Sequence, residues 1–477
     1  MSESRTYDVV VLGAGAVGEN AADRAGRTGL SVVIVESALV GGECSYWACM
    51  PSKALLRPGQ VLDTVRGVGG AAQAVTGRQD VGATLERRDT FTHDWDDSSQ
   101  VSWLQSAGID LVRGEARFTG ERTVEVSGED GDVTVTARHA VIAATGSEPV
   151  IPAVDGLAQA APWTSREATS AQEVPPSLVI LGGGVVGAEM AVAYADLGSS
   201  VTLLHRGDRL LANTEPFASD AVAEGLMGMG VDLRLGTTAT RVERDGAGVT
   251  VHHGEGEPVR AAEILVATGR RPRTDDLGLE TIGLTPGDPL TVDDQLQVRG
   301  VAGAWLYAVG DVTGRVGTTH QGKYDARVAG DVVAARFGQG EGTTTDAAPL
   351  SRYSAGADHV AQTQVVFTRP EVAWVGRTEA QARAAGIDVR LLDVPLSSVA
   401  GTALHSDHAD GRARLVVDGA RDVVVGATFV GPDVAELLHA ATIAVVGEVP
   451  LDRLWHAVPA YPTVSEVWLR LLESAGL

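Results

Sequence analysis

One local pattern occurs twice in the 477 residues and restricts the fold more than any other feature. Residues 7–12 are an apolar run that stops at Gly13-Ala-Gly15-Ala-Val-Gly18, and a helix-forming stretch over 19–27 follows. A second β-type run over 31–35 then ends at Glu36. The glycines let a backbone approach a pyrophosphate at the helix N-terminus, where unpaired N–H groups and the helix dipole favour an anion. A carboxylate closing the second strand can bind ribose hydroxyls, and Glu36 stands 23 residues after Gly13 (36 minus 13). The pattern returns as a strand over 177–181, Gly182-Gly-Gly184-Val-Val-Gly187, a helix from residue 188 and a strand over 200–204. The same count from Gly182 (205 minus 182) lands on His205, followed by Arg206. A carboxylate there would repel a 2′-phosphate, whereas Arg206 would attract one; the plainer reading of Arg206 is a solvated surface arginine. An α/β chain with two Rossmann-like dinucleotide sites follows, the first for a free ribose, the second suited to NADPH with NADH as the other candidate.

Both cysteines of the chain, Cys44 and Cys49, lie in the stretch Gly41-Gly-Glu-Cys-Ser-Tyr-Trp-Ala-Cys-Met-Pro-Ser-Lys53. On a regular helix their Cα atoms would be about 8–9 Å apart, outside the range a disulfide accepts. A bridge therefore needs the first cysteine at a distorted helix start, for which Gly41 and Gly42 supply the loose backbone. Buried apolar thiols are the bland alternative, and zinc is weaker because no further Cys or spaced His pair completes four ligands. No metal ligand set is expected, and the flanking motifs favour a redox pair. Only two lysines, Lys53 and Lys323, are present, every other basic residue being Arg. Since the two side chains are not interchangeable, those positions are candidates for a required ammonium, chance retention being the alternative.

The length calls for two to four domains. With 58 glycines the chain suits an α/β protein rich in tight turns, and a net charge of −24 argues against nucleic acid as a partner. The first apolar run follows Asp8 directly and turns through glycines, so neither a secretory segment nor a membrane span is expected. A soluble cytoplasmic protein is the expectation, and in that setting a close cysteine pair is more often catalytic than structural. Residues 58–106 read as mostly helical, and 112–143 as short strands with turns at 120–121 and 129–131. Ala144-Thr145-Gly146 closes that stretch, and a second Ala-Thr-Gly ends at Gly269. A strand over 305–309 runs into Gly310-Asp311, residues 338–358 read as a linker, and strands from 362 give way to a helix over 434–446.

Taken together these residues resemble the class I pyridine nucleotide–disulfide oxidoreductases, the flavoprotein family of dihydrolipoamide dehydrogenase, glutathione reductase and mercuric reductase. The resemblance rests on the two glycine turns, Cys44 to Lys53, both Ala-Thr-Gly turns, Gly310-Asp311 and Val366-Phe-Thr-Arg-Pro-Glu371. It implies two Rossmann-like domains, for FAD and NAD(P)H, and a C-terminal α+β dimerisation domain. The expected division is 1–155 and 276–350 for FAD, 156–275 for NAD(P)H and 351–477 for the interface of a homodimer. It further implies that Cys49 faces the flavin, that Cys44 attacks substrate, and that Lys53 and Glu189 form an ion pair beside the flavin. Asp311 matches the ribityl-binding residue, with Thr319 and His320 near the flavin. FAD contacts would also include Ala116, Thr145, Gly146 and Gly310, and NAD(P)H contacts Gly182, Gly184, Gly187 and Gly269.

The C-terminal motif departs from the pattern. Thiol-handling members carry His-Pro-Thr-x-Ser-Glu, and here the stretch is Tyr461-Pro-Thr-Val-Ser-Glu466. A tyrosine titrates near 10 against about 6.5 for histidine, which makes Tyr461 a poor thiol base at neutral pH, though still a possible hydrogen-bond donor. His456 is near in sequence. Tyr46 and Trp47 are bulky where the family mostly has small or aliphatic residues, and packing against the flavin domain is one account of them. The leading expectation is an NAD(P)H oxidoreductase passing hydride through flavin to Cys44–Cys49 and on to a disulfide substrate. A reductase of quinones, other electrophiles or metal ions is the alternative on the same scaffold, and a non-catalytic redox sensor the third.

Overall fold

Val9, Val10, Val11 and Leu12 are fully buried, as a strand covered on both faces must be. They end the strand Glu3–Leu12, which pairs in parallel with Val32–Glu36 on one side and Gly131–Ala143 on the other. Ile109–Arg113 extends this sheet in parallel beyond Val32–Glu36, and Leu306–Ala308 also pairs in parallel with Gly131–Ala143. The antiparallel strands Thr123–Gly128 and Glu115–Gly120 complete a seven-stranded sheet. This is a computed structural model, and it describes residues 3–129, 131–254, 256–338, 345, 347–408 and 410–477. The chain divides into two units, one of Met1–Met50, Asp89–Glu148 and Arg270–Asp358, the other of Pro51–Arg88, Pro149–Gly269 and His359–Leu477.

The second unit contains the repeat. Its parallel sheet runs Asp232–Arg234, Ser200–Leu204, Ser177–Leu181, Glu263–Val266, beside a three-stranded antiparallel sheet. A separate five-stranded antiparallel sheet, from Thr363–Val366 to Val423–Gly431, packs its apolar face on the helices Val434–Val446 and Val467–Ser474. The first of those helices has the bounds expected from the sequence.

Both glycine-turn helices start earlier than expected, as Ala16–Gly26 and Val185–Asp196, with Gly15 and Gly184 as their N-caps. The third glycine of each triplet therefore lies inside the first helical turn. A Cβ on Gly18 would fall 1.9 Å from the Gly13 carbonyl oxygen, and one on Gly187 at 1.9 Å from that of Gly182. Glycine at these positions lets helix and strand end pack at backbone distance.

The helical reading of residues 58–106 holds, but Pro58 lies inside the helix Cys49–Arg66. Proline has no N–H for the carbonyl four residues back, here that of Ala54. Arg87 donates to that oxygen at 3.2 Å and replaces the missing bond. The linker expected over 338–358 lies partly outside the described residues, as does residue 130 of the expected turn at 129–131. The later part of that linker is packed: Ala355 is fully buried and donates to the Asp294 carbonyl at 2.8 Å.

Candidate active site

In the first unit the cysteine stretch is anchored to the first glycine turn through backbone. Gly41, at φ 113°, donates to the Ala14 carbonyl at 2.7 Å. Gly42, at φ 60°, approaches so closely that a Cβ on it would sit 2.7 Å from the Gly15 Cα. Both glycines thus occupy left-handed backbone that other residues rarely adopt. Cys44 lies in the five-residue helix Gly42–Tyr46, Trp47 leaves helical geometry at φ −138°, and Cys49 opens the next helix. The break therefore falls between the two cysteines, whereas distortion was expected ahead of the first. A break between them frees the pair from the spacing of a continuous helix.

Both cysteines are half-buried thiols. A hydrogen bond with Cys49 and burial push the Cys44 thiol well above the ordinary range, while Thr319 and the Lys323 cation pull the other way. Cys49 Sγ lies 3.2 Å from the Thr319 hydroxyl, on the first residue of the helix Thr319–Phe337. The N-terminal end of a helix favours a thiolate over a thiol. Tyr46 is fully buried, donates to Gln100 Oε1 at 3.3 Å and accepts at its carbonyl from Trp95 Nε1 at 3.1 Å. Its bulk is packing within this unit, which fixes the loop between the cysteines.

Around the same turn, Glu36 accepts from the backbone N–H of Ala14 at 2.7 Å and of Ala38 at 2.8 Å. Each oxygen retains a lone pair for a ribose hydroxyl. The Ala16–Gly26 helix has no side-chain cap, and a Cβ on Gly15 would meet nothing closer than 3.9 Å. An uncapped helix start beneath open space fits the pyrophosphate of FAD. Thr145 donates to the Arg273 carbonyl at 2.9 Å, and Gly146, at φ 73°, also faces open space. Asp311 accepts from Ser147 Oγ at 2.5 Å, and that oxygen in turn accepts from Arg270 Nε at 2.8 Å. Gly310 opens the short helical turn Gly310–Thr313 that carries Asp311, and His320 directly follows Thr319. Ala116 is half-buried on Glu115–Gly120, opposite Val126. Sequence reasoning missed Ser147 and Arg270, although each directly follows an Ala-Thr-Gly turn.

In the second unit Gly182, at φ 116°, turns the chain, and a Cβ on Gly184 would meet nothing within 4 Å. That helix start too lacks a side-chain cap. His205 accepts at Nδ1 from the Gly183 N–H at 3.1 Å, the kind of bond Glu36 makes in the first turn. Burial lowers its pKa, so the ring is neutral at pH 7. Arg206 is exposed and has no hydrogen bond or ion pair among the described residues. Gly269, at φ 139°, accepts from Val150 N–H at 3.0 Å. Lys53 Nζ lies 2.7 Å from Glu189 Oε2 and 5.1 Å from the centre of the Phe367 ring. Glu189 is buried, and its other oxygen accepts from the Phe367 N–H at 3.1 Å. A carboxylate on an otherwise apolar helix face is tolerable only with such partners.

The C-terminal motif is split within one chain. Tyr461 is 76% exposed, whereas Glu466 is buried. Glu466 Oε1 accepts from Arg470 at 2.7 Å, and its other oxygen is buried with no partner among the described residues. His456 is exposed as well.

Residues 7–326 match the model of the pyridine nucleotide-disulphide oxidoreductases, and residues 363–471 match the dimerisation domain of that family. The chain belongs to this family. It is a flavoprotein disulfide oxidoreductase, of a family that binds FAD and NAD(P)H. It is 34% identical over 480 residues to the dihydrolipoyl dehydrogenase of Haloferax volcanii, covering 98% of this chain and 96% of that one. It is 31% identical over 466 residues to the mercuric reductase of Staphylococcus aureus, covering 96% of this chain and 81% of that one. Among solved structures, the HOCl-induced flavoprotein disulfide reductase RclA from Escherichia coli superposes with a TM-score of 0.82 at 25% identity, covering 98% of this chain and 99% of that one. LpdA from Mycobacterium tuberculosis does so with 0.80 at 25% identity, over 99% of both chains. No helix among the described residues is long and apolar enough to cross a membrane.

Proposed function

We propose that the enzyme uses NADPH to reduce a disulfide-type substrate through Cys44 and Cys49. The observation that supports this best is the hydrogen-bonded pair of thiols with Cys49 held 3.2 Å from Thr319 at a helix start. FAD bound at the first turn would supply a two-electron relay between the nicotinamide and the cysteine pair. Gly13, Gly15 and Gly18 are assigned to its pyrophosphate, Glu36 to its ribose and Asp311, Gly310, Thr145, Gly146 and Ala116 to the rest. Thr319 and His320 are assigned to the flavin end. Lys53 and Glu189 are assigned the ion pair whose cation favours negative charge on the reduced ring. Cys49 is the flavin-side thiol, and Cys44 is the thiol that attacks substrate. Anaerobic addition of one equivalent of NADPH to oxidised enzyme should expose two titratable thiols. If none appears while the flavin is reduced, the cysteines are outside the reaction.

Gly182, Gly184, Gly187 and Gly269 are assigned to the nicotinamide dinucleotide, with neutral His205 beneath the turn and Arg206 at the 2′-phosphate. An arginine–phosphate contact is a charge-assisted bond. Because Arg206 is exposed, its removal should cost about tenfold in affinity, the low end for such bonds. Arg206→Ala is therefore expected to lower the NADPH/NADH ratio of kcat/KM by that factor, and an unchanged ratio would leave the arginine a solvated one.

The working form is proposed to be a cytoplasmic homodimer in which Tyr461 to Glu466 reaches the partner's cysteine pair. Ile443, Trp455, Val458 and Tyr461 are all exposed, an apolar surplus suited to an interface. Sedimentation should give a dimer, and a fully active monomer would remove any role for the C-terminal motif. Reduction of quinones, other electrophiles or metal ions is the second reading. Tyr461 in the histidine's place favours it, because such acceptors leave no thiol to deprotonate.

A further inference from the structure

Of the two lysines in the chain, the reading above uses Lys53 and leaves Lys323 unassigned. Lys323 is four residues, about one helical turn, beyond Thr319 on the helix Thr319–Phe337. Residues so spaced share a face, and Thr319 on that face touches Cys49 at 3.2 Å. Lys323 is half-buried and forms no hydrogen bond or ion pair among the described residues. Its charge is felt by two acidic groups, Cys44 and Glu19, and lowers the pKa of each.

Glu19 lies in the first turn of Ala16–Gly26, directly after Gly18. Its Oε1 is buried with no partner among the described residues. Glu19 lines a cavity of about 300 Å³ together with Asn20, Ser99, Gln100 and Trp103. Gln100 in that wall accepts from the hydroxyl of Tyr46, two residues past Cys44. One wall of the cavity is therefore bonded to the helix that carries Cys44. Burial pushes the Glu19 carboxyl up to about 7, with Lys323 opposing and Glu36 reinforcing the rise. Facing Cys44 are Cys49, Thr319 and Lys323. Tyr46, on the same helix as Cys44, is pushed up to about 12 by burial, helped by Asp97, Glu19 and Asp96 and opposed by Arg113.

We propose that Lys323 and Glu19 together serve Cys44 in place of the imidazole missing at position 461. The ammonium is the ion partner of the Cys44 thiolate, and the Glu19 carboxylate takes up the proton the thiol gives up. The proposal rests on the disulfide reading. In the substrate step the Cys44 thiolate attacks one sulfur of a disulfide, forming a mixed disulfide and breaking the substrate S–S bond. The departing thiolate receives the proton held on Glu19. Cys49, as thiolate, then attacks Cys44 Sγ, closing the Cys44–Cys49 bond and releasing the second substrate thiolate, which solvent protonates. The substrate disulfide is reduced by two electrons and the cysteine pair is oxidised by two, to be restored by NADPH.

The test uses FAD-loaded protein carrying Cys49→Ser, in which Cys44 is the only thiol, and follows alkylation by iodoacetamide against pH. Lys323→Met in this background should slow alkylation at pH 7 about tenfold and move the main inflection up by about one unit, the lower end for loss of a close opposite charge. Lys323→Arg should restore most of the rate, and Glu19→Gln should remove a second inflection near pH 7. Retained flavin absorbance reports folding in each variant. A Lys323→Met profile that superimposes on its parent overturns the role of the ammonium, and an unchanged Glu19→Gln profile overturns the proton store. Alkylation needs no physiological substrate, so these results stand apart from the disulfide reading. That reading fails only if the cysteines prove dispensable in turnover.

Discussion

Replacing Cys44 by serine is expected to abolish turnover of a disulfide substrate while leaving reduction of the flavin by NADPH intact. Only a thiolate attacks a disulfide sulfur at a useful rate, and a serine hydroxyl does not ionise near neutral pH. Loss of a covalent nucleophile costs on the order of 10⁴–10⁶ in rate, so residual activity should lie at background. The NADPH half-reaction is assigned to Lys53, Glu189 and the second glycine turn, none of which is altered. Cys49 keeps its contact with Thr319, so a long-wavelength absorbance from its thiolate beside oxidised flavin should persist. Stopped-flow with NADPH alone, then steady-state assay with a disulfide, separates the two halves. A Cys44→Ser enzyme with full activity on the true acceptor would transfer the protein to the quinone-type reading and leave the cysteine pair accessory.

Tyr461→His is expected to raise turnover of a disulfide that can enter the site, by about 10² in the otherwise intact enzyme. General acid–base catalysis contributes about 10²–10⁴, and the lower figure applies because Lys323 and Glu19 are inferred to meet part of the need. Combined with Lys323→Met, the same substitution should give a larger relative gain. Glu466 is retained in the motif, and its second oxygen is buried without a partner among the described residues. The gain should appear with an added inflection from the introduced imidazole, near its ordinary value of about 6.5. Tyr461→Phe should matter only if the hydroxyl donates to substrate. Parent turnover of common disulfides at a rate the introduced histidine cannot improve would mean that no base is wanted at this position.

The sequence alone disclosed the architecture because its signals are local. A strand, three glycines, a helix and a second strand within some thirty residues form one βαβ unit wherever they occur, and the second copy at Gly182 made the reading firm. The cysteine pair, Glu36 and Gly310-Asp311 were legible for the same reason, and Lys53 stood out because the chain holds only two lysines. Helix starts were placed a few residues late, since a glycine inside a first turn reads as loop until its contact with the strand end is known.

What the tertiary structure alone decided depends on residues far apart in the chain. The start of the cysteine helix is held by contacts of Gly41 and Gly42 with the turn at Ala14 and Gly15, and the break between Cys44 and Cys49 falls at Trp47. Arg87 repairs a carbonyl orphaned by Pro58, and Phe367 supplies the N–H that holds Glu189. Ser147 and Arg270, separated by 123 residues, meet at Asp311. The Lys323 cation lowers the pKa of both Cys44 and Glu19, although Lys323 and Glu19 are 304 residues apart (323 minus 19). Periodicity and spacing report what a segment forms by itself. The pKa of a buried carboxyl or thiol is set by the charges folding brings near it, and those come from anywhere in the chain.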